Sequence, residues 1–246
     1  MCWSGEASAS VAAIGLISSV YAIRQKEHPV LYLSLIYFSL METLQAFTYT
    51  VINKCDDPSN QVATILGYLH LTFQPFFINA ISLYFVPDRI RKKVEIPVYT
   101  CCFIGVFVML IQLYPFEWAG RCATGRPLCG PILCSVSGNW HIAWSIPTNA
   151  IGNFFHTLGF QLFRSGFVAY TITGFILPML YGSWRFTLYH LVMGPLLANL
   201  LSDNPIERPA IWCLLSFGIL LLVVDTPLRR IFYVKNYGFF EGRGEK

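Results

Sequence analysis

PVLYLSLIYFSLMETLQAFTYTVIN, residues 29–53, decides how this chain is read. The stretch has no Lys, Arg or Asp and a single carboxylate, Glu42. A bilayer core of about 30 Å takes roughly 20 apolar residues in a helix, so a segment of this length and polarity reads as a crossing. By the same measure further spans fall at 8–23, 61–86, 96–114, 166–182, 184–201 and 209–227. Breakers and charges separate them: Arg24 to Pro29, Asp56 to Asn60, Pro87 to Glu95, a tight turn at Gly182 and Ser183, and Ser202 to Pro209. The expectation is an all-α, seven-transmembrane helix bundle forming a single domain over residues 1–246.

Composition agrees. Of 246 residues 55% are hydrophobic and 12% are charged, with a mean hydropathy of +0.54. Soluble domains carry about 25% charged residues, so too few charges are present to cover a water-facing surface. The net charge of +4 matters through its distribution alone. No basic patch interleaved with aromatics points to nucleic acid.

Charge asymmetry sets the expected orientation. With the N-terminus outside, the inner segments hold Arg24, Lys26, Arg89, Arg91, Lys92, Lys93, Arg185, Arg229, Arg230, Lys235, Arg243 and Lys246. The outer ones hold Lys54, Arg121, Arg126, Arg164 and Arg208. The C-terminus is then cytoplasmic. No basic residue precedes the first apolar stretch while Arg24 and Lys26 follow it, the pattern of an N-out anchor rather than a cleaved leader.

Cys2, Cys55, Cys122, Cys129 and Cys134 fall on the expected outer side, where disulfides persist; Cys55 joined to the long loop is the expected bridge. Five is odd, leaving one cysteine free or paired with Cys213. The long outer loop spans about 115–165. Within it Ile151, Phe154, Phe155, Leu158 and Leu162 recur at helical spacing, opposite Asn149, Asn153, His156 and Gln161. Trp118, Trp140 and Trp144 precede them, so the pattern reads as an interfacial helix on the outer leaflet.

Ionisable groups inside spans are rare and usually face the bundle. Three occur here: Glu42, His70 and His190. At about 1.5 Å per residue they lie roughly 16, 13 and 16 Å below the outer ends of their helices. Ser39, Gln45, Gln74, Thr187 and Gly194 sit on the same faces, and Pro75 and Pro195 lie just beyond. Two His and one carboxylate form a catalytic zinc set with water in the fourth position. The expectation is therefore a metal-dependent intramembrane hydrolase acting on a lipid drawn from the bilayer. Glu42, His70 and His190 would be its ligands, with His141 or Asp203 as general acid or base. Two alternatives stay open. His70 and His190 would ligate one b-type haem, or the site would take a quinone. Otherwise the chain is a non-enzymatic receptor, transporter or accessory subunit, and the three residues are polar glue between helices.

In topology and in bearing His and carboxylate groups within the bilayer, the chain resembles the alkaline ceramidase and adiponectin-receptor superfamily. It departs from that superfamily in helix seven, where Ile211 to Asp225 contains no His and hence no His-x3-His pair. The phrases Met1-Cys2-Trp3-Ser4, Tyr68-Leu69-His70, Gln74-Pro75-Phe76-Phe77-Ile78-Asn79, Gly138-Asn139-Trp140-His141-Ile142-Ala143-Trp144 and Asp203-Asn204-Pro205 resemble those of an uncharacterised family of polytopic membrane proteins. That resemblance implies no particular activity.

Overall fold

The computed structural model of the chain describes residues 3–153, 168–219 and 227–234. It is mostly helical. Helix α1 is Gly5–Arg24, α2 Pro29–Val51, α3 Pro58–Tyr84 and α4 Asp88–Ile111. Helix α5 is Val168–Leu180 and α6 covers 184–201; each contains one π-helical stretch, Ile172–Ile176 and Val192–Leu196. Helix α7 is Arg208–Leu215, running into the 3-10 turn Ser216–Ile219, and α8 is the short Pro227–Phe232. Among the described residues three helices, α1, α2 and α4, are long and apolar enough to cross a membrane. Helix α3 is longer still, but it buries Asn60, Thr64, Thr72, Gln74 and Asn79, which lower its hydropathy.

Local chemistry sets the helix starts. The side chains of Ser4 and Asp57 accept hydrogen bonds from the main chain of Ala7 and Ser59, capping α1 and α3. Pro29 and Pro58 occupy first-turn positions, where a missing N–H costs nothing. Gly182, at φ +99°, makes the tight α5–α6 turn, a conformation a side chain would strain. Helix α4 departs from expectation. It begins at Asp88 and so takes Arg89, Arg91, Lys92 and Lys93 into its first turns, where the charges had read as a loop.

Helix α1 packs along α2 through its small residues Ser8, Ala12, Gly15, Ser19 and Ala22, while Ile14, Ile17, Val20 and Ile23 face outward. Small residues let the two backbones approach closely. The main core gathers Leu31, Leu35 and Phe38 of α2, Tyr68, Leu71 and Ile78 of α3, Phe186 of α6 and Cys213 of α7. A smaller cluster joins Leu83, Val86, Val98, Cys102 and Tyr181.

The segment between α4 and α5 holds a β-hairpin, β1 Cys134–Ser137 paired antiparallel with β2 Ile142–Ser145. Its strands are too short for a readable alternation, and what stabilises them comes from elsewhere. Asn60 donates to the Ser135 carbonyl and accepts from the Ser135 N–H, both at 2.9 Å, while Asn53 donates to the Ser137 hydroxyl and accepts from the Ser137 N–H, both at 2.8 Å. Trp144 donates its main-chain N–H to Ile206, and its indole fills the space beside Gly67. The Cys55–Cys134 disulfide fastens β1 to the α2–α3 turn, as expected; Cys122 pairs with Cys129. Cys213 is free and buried rather than a partner in a third bridge, and Cys2 lies outside the described residues. The interfacial helix expected around Phe154, Phe155, His156, Leu158, Gln161 and Leu162 also falls outside them. Its first residues form a 3-10 turn, Ala150–Asn153.

At the opposite end of the molecule the segment 227–234 docks on the starts and ends of other helices. Arg229 pairs with Glu27 at 2.9 Å and donates to the Tyr84 hydroxyl, Arg185 donates to the Ile231 carbonyl at 2.8 Å, and Val234 N–H binds the Phe85 carbonyl.

Candidate functional site

Two places at the hairpin end concentrate buried polar chemistry. The first is the seat of the hairpin. Its tip residues Asn139, Trp140 and His141 point their main-chain N–H groups at the carboxylate of Glu207, at 3.2 Å from Asn139 and 2.5 Å from Trp140, with a third bond from His141. The Ser202 hydroxyl donates to the same carboxylate at 2.6 Å. A fully buried carboxylate is thereby satisfied without a cation, by four donors.

His141 is fully buried and uses both ring nitrogens. Nε2 lies 2.5 Å from Gln45 Oε1, an oxygen that only accepts, so Nε2 carries the proton; the Tyr49 hydroxyl then donates to Nδ1 at 2.6 Å. Gln45 is oriented in turn by its amide, which donates to the Ala210 carbonyl. Trp3 stacks on Trp140 and meets the His141 ring edge-on. Burial pushes the His141 pKa down to about 3, so the ring is neutral at ordinary pH.

These contacts decide the fate of the expected proton-transfer pair. His141 has no nitrogen left for a substrate and pins the hairpin to α2. Asp203 is exposed and takes no part in this network among the described residues. The neighbouring Glu207, four positions further along the loop that leads into α7, is the carboxylate that is drawn inward.

The expected metal set is not assembled either. Among the described residues no three His, Cys, Asp or Glu side chains come together as metal ligands. His70 stacks on Tyr37 at 3.9 Å, and the Tyr37 hydroxyl donates to its carbonyl. His190 is packed among Phe175, Phe186 and Trp212, with ring centroids 5.0 to 6.1 Å away. Glu42 is fully buried, and Ser8 of α1 is the polar side chain that meets its carboxylate. Equal depth along three helices is one coordinate of three. Rotation about each helix axis turns His70 toward α2 and His190 toward α5 and α7. Different aromatic neighbours pack the two imidazoles, Tyr37 on His70 and Phe175, Phe186 and Trp212 around His190.

The second place is a cavity of about 610 Å³. Leu71 of α3, Tyr170 and Phe175 of α5, Leu191 and Pro195 of α6 and Trp212 of α7 line it, with Arg126 and Arg208 at its polar side. Its volume falls within the roughly 300–1,000 Å³ range of small-molecule sites, and its mix of an apolar lining with few polar groups is theirs too. Both π-helical stretches contribute walls, Phe175 from one and Pro195 from the other. Such π-bulges occur frequently at functional sites. Pro195 has no N–H to give to the preceding turn, which favours the wider winding there. The Arg208 Nε is fixed by the Ser202 carbonyl at 3.0 Å. Buried behind the lining are polar atoms with no partner among the described residues: His190 Nε2 and Gln74 Nε2, the latter on a side chain that accepts from the Tyr170 hydroxyl. Sequence reading missed this cavity. Arg126 and Arg208 lie 82 positions apart, and only the docking of two loops joins them.

Fold and site together define a mostly helical protein with membrane-length apolar helices, a disulfide-tied hairpin and a cavity between the helices α3, α5, α6 and α7. The chain belongs to DUF5765, a family of unknown function, whose model matches residues 6–233. This agrees with the resemblance to an uncharacterised family; no comparison supports kinship with the alkaline ceramidase and adiponectin-receptor superfamily. No curated protein and no solved structure matches the chain.

Proposed function

We propose that this chain is a polytopic membrane protein with seven spans and its N-terminus outside, and that it binds a small amphiphile with an acidic head in the cavity between α3, α5, α6 and α7. The single observation that carries the ligand reading is that cavity, with its aromatic floor and two guanidinium groups at its polar side. The apolar lining suits a hydrocarbon chain, and arginine forks match carboxylate and phosphate geometry.

Support for the membrane placement comes from an inverted distribution of polarity. Helix α1 turns small and hydroxyl side chains inward and leaves Ile17 70% exposed; Phe103 and Leu200 are 66% and 82% exposed. Such a surface is unfavourable against water and ordinary against lipid. The chain also alternates between two ends. The α2–α3 turn, the hairpin and the α6–α7 loop meet at one end, and Glu27, Tyr84, Arg185 and Arg229 meet at the other. The second end gathers most of the cations, in keeping with a cytoplasmic face, and the first holds both disulfides, in keeping with an oxidising compartment.

A binding role is favoured over the hydrolase because both nitrogens of His141 are taken up by Gln45 and Tyr49, and no three metal-ligating side chains come together among the described residues. The test is quenching of Trp212 fluorescence by a brominated fatty acid in detergent, with Trp212→Phe as the control for the other indoles. Saturable quenching that weakens about tenfold in Arg208→Ala supports the reading, a loss in the range of one charge-assisted hydrogen bond. Quenching that is non-saturable, or equal in the two proteins, defeats it.

A further inference from the structure

Helix α4 has two faces. Ile90, Val94, Val98, Cys102, Val106 and Met109 recur three to four residues apart and pack inward. The opposite stripe begins with Arg89, Lys92 and Lys93, all exposed, and continues through Ile96 at 79% exposure to Phe103 and Phe107. Side chains at these spacings lie on one helix face, so the three cations head the same stripe that presents apolar rings further along. Arg91 is different, since it pairs with Asp88 at 2.8 Å. Arg89, Lys92 and Lys93 make no ion pair among the described residues, and the carboxylates near them on the helix surface are Asp88, which is taken up by Arg91, and Glu95.

We propose that this stripe is a docking surface for an anionic phospholipid of the inner leaflet. The phosphodiester sits against Arg89, Lys92 and Lys93, and an acyl chain runs down Ile96 and Phe103. Charge complementarity and continuity with the apolar stripe select this occupant. A soluble acidic partner would gain nothing from Ile96 and Phe103, and a zwitterionic lipid would gain little from the cations. Basic clusters beside a span attract anionic lipid in this way. The proposal requires α4 in the membrane, as in the topology above, but is independent of what fills the cavity.

The experiment reconstitutes the whole protein in nanodiscs of phosphatidylcholine with a minor fraction of phosphatidylglycerol and counts retained lipids by native mass spectrometry. The parent is expected to retain phosphatidylglycerol preferentially. The variant R89Q/K92Q/K93Q loses this retention by about tenfold or more, and the charge-conserving R89K/K92R/K93R keeps it. All three positions are exposed, so the variants are expected to unfold at the parent's temperature. Unchanged retention in the glutamine variant overturns the proposal. So does release of phosphatidylglycerol by inorganic phosphate at matched ionic strength, which would mean that the stripe reads phosphate without its chain. Loss of phosphatidylcholine contact in every variant would instead remove α4 from the membrane, which tests the topology separately.

Discussion

Glu207 Oε1 accepts the Trp140 main-chain N–H at 2.5 Å, across 67 positions of sequence, and so joins the tip of the β-hairpin to the start of α7. Removing the carboxylate leaves the N–H groups of Asn139, Trp140 and His141 without that acceptor, the last of them buried. Glu207→Ala should cost about 3 kcal/mol or more, while Glu207→Gln, which keeps one acceptor oxygen, should cost roughly half of that. Thermal unfolding in detergent checks the order. Equal melting temperatures for all three proteins would mean that the hairpin is held by other contacts.

His141 makes this seat sensitive to acid. The groups around it are Gln45 and Tyr49 of α2, Trp3 before α1, Trp140 beside it, and the Glu207 carboxylate on its main-chain N–H. An unfolded His takes up its proton near pH 6.5, whereas the folded one waits until about pH 3. Below pH 6.5 the unfolded state therefore binds more protons, and the His141 contribution to stability is lost as pH falls from about 6.5 toward 3. His141→Gln should be less stable at pH 7 yet show a shallower loss between pH 7 and pH 4. A loss of the same slope in parent and variant would assign the acid sensitivity to other groups.

The Cys55–Cys134 bridge closes a sequence separation of 79 residues. Chain entropy alone assigns such a loop on the order of 4 kcal/mol. Asn53 and Asn60 keep gripping β1 after reduction, so the hairpin should stay in register while the protein melts at a lower temperature. Cys55→Ser/Cys134→Ser should melt like the reduced parent, and reductant should then have little further effect apart from that at Cys122–Cys129.

Gly194 faces the Trp212 indole, and a Cβ at this position would collide with the indole nitrogen. Gly194→Ala should push Trp212 toward the cavity, cost about 1–3 kcal/mol through overpacking, and weaken binding of the brominated fatty acid. A shifted Trp212 emission with reduced quenching is the expected signature; unchanged emission would place the ligand elsewhere.

The expected zinc site makes its own check possible. With Glu42, His70 and His190 turned to different neighbours, zinc content after equilibrium dialysis should be the same in the parent and in His70→Ala/His190→Ala. A stoichiometric zinc lost in the variant would show that the three residues do converge.

Helix positions were largely legible. Six apolar stretches coincide with helical segments to within a few residues at most ends, and the seventh does so as far as residue 219, because a long run of one character is a local signal that a helix of that length must carry. The start of α4 was misread, since Arg89 to Lys93 look like a loop until the apolar inward stripe Ile90, Val94 and Val98 is seen to continue through them. Cys55 was correctly tied to the long loop, although spacing did not choose Cys134 as its partner. The arrangement of the candidate site was less legible. Glu42, His70 and His190 were rightly marked as buried polar groups in helices, but residue type and depth do not carry the angle about the helix axis.

Sequence by itself determined that this chain is helical, apolar and asymmetric in charge, because each of these is a sum over local residues. It also marked Trp140, Cys55 and Cys134 as residues of the same end. Only the tertiary structure decided that Glu207 turns inward while Asp203 stays exposed, that His141 is a pin, and that Arg126 and Arg208 flank one cavity. Those outcomes depend on which faces meet when helices and loops pack, and contacts between positions tens of residues apart leave no trace in local pattern.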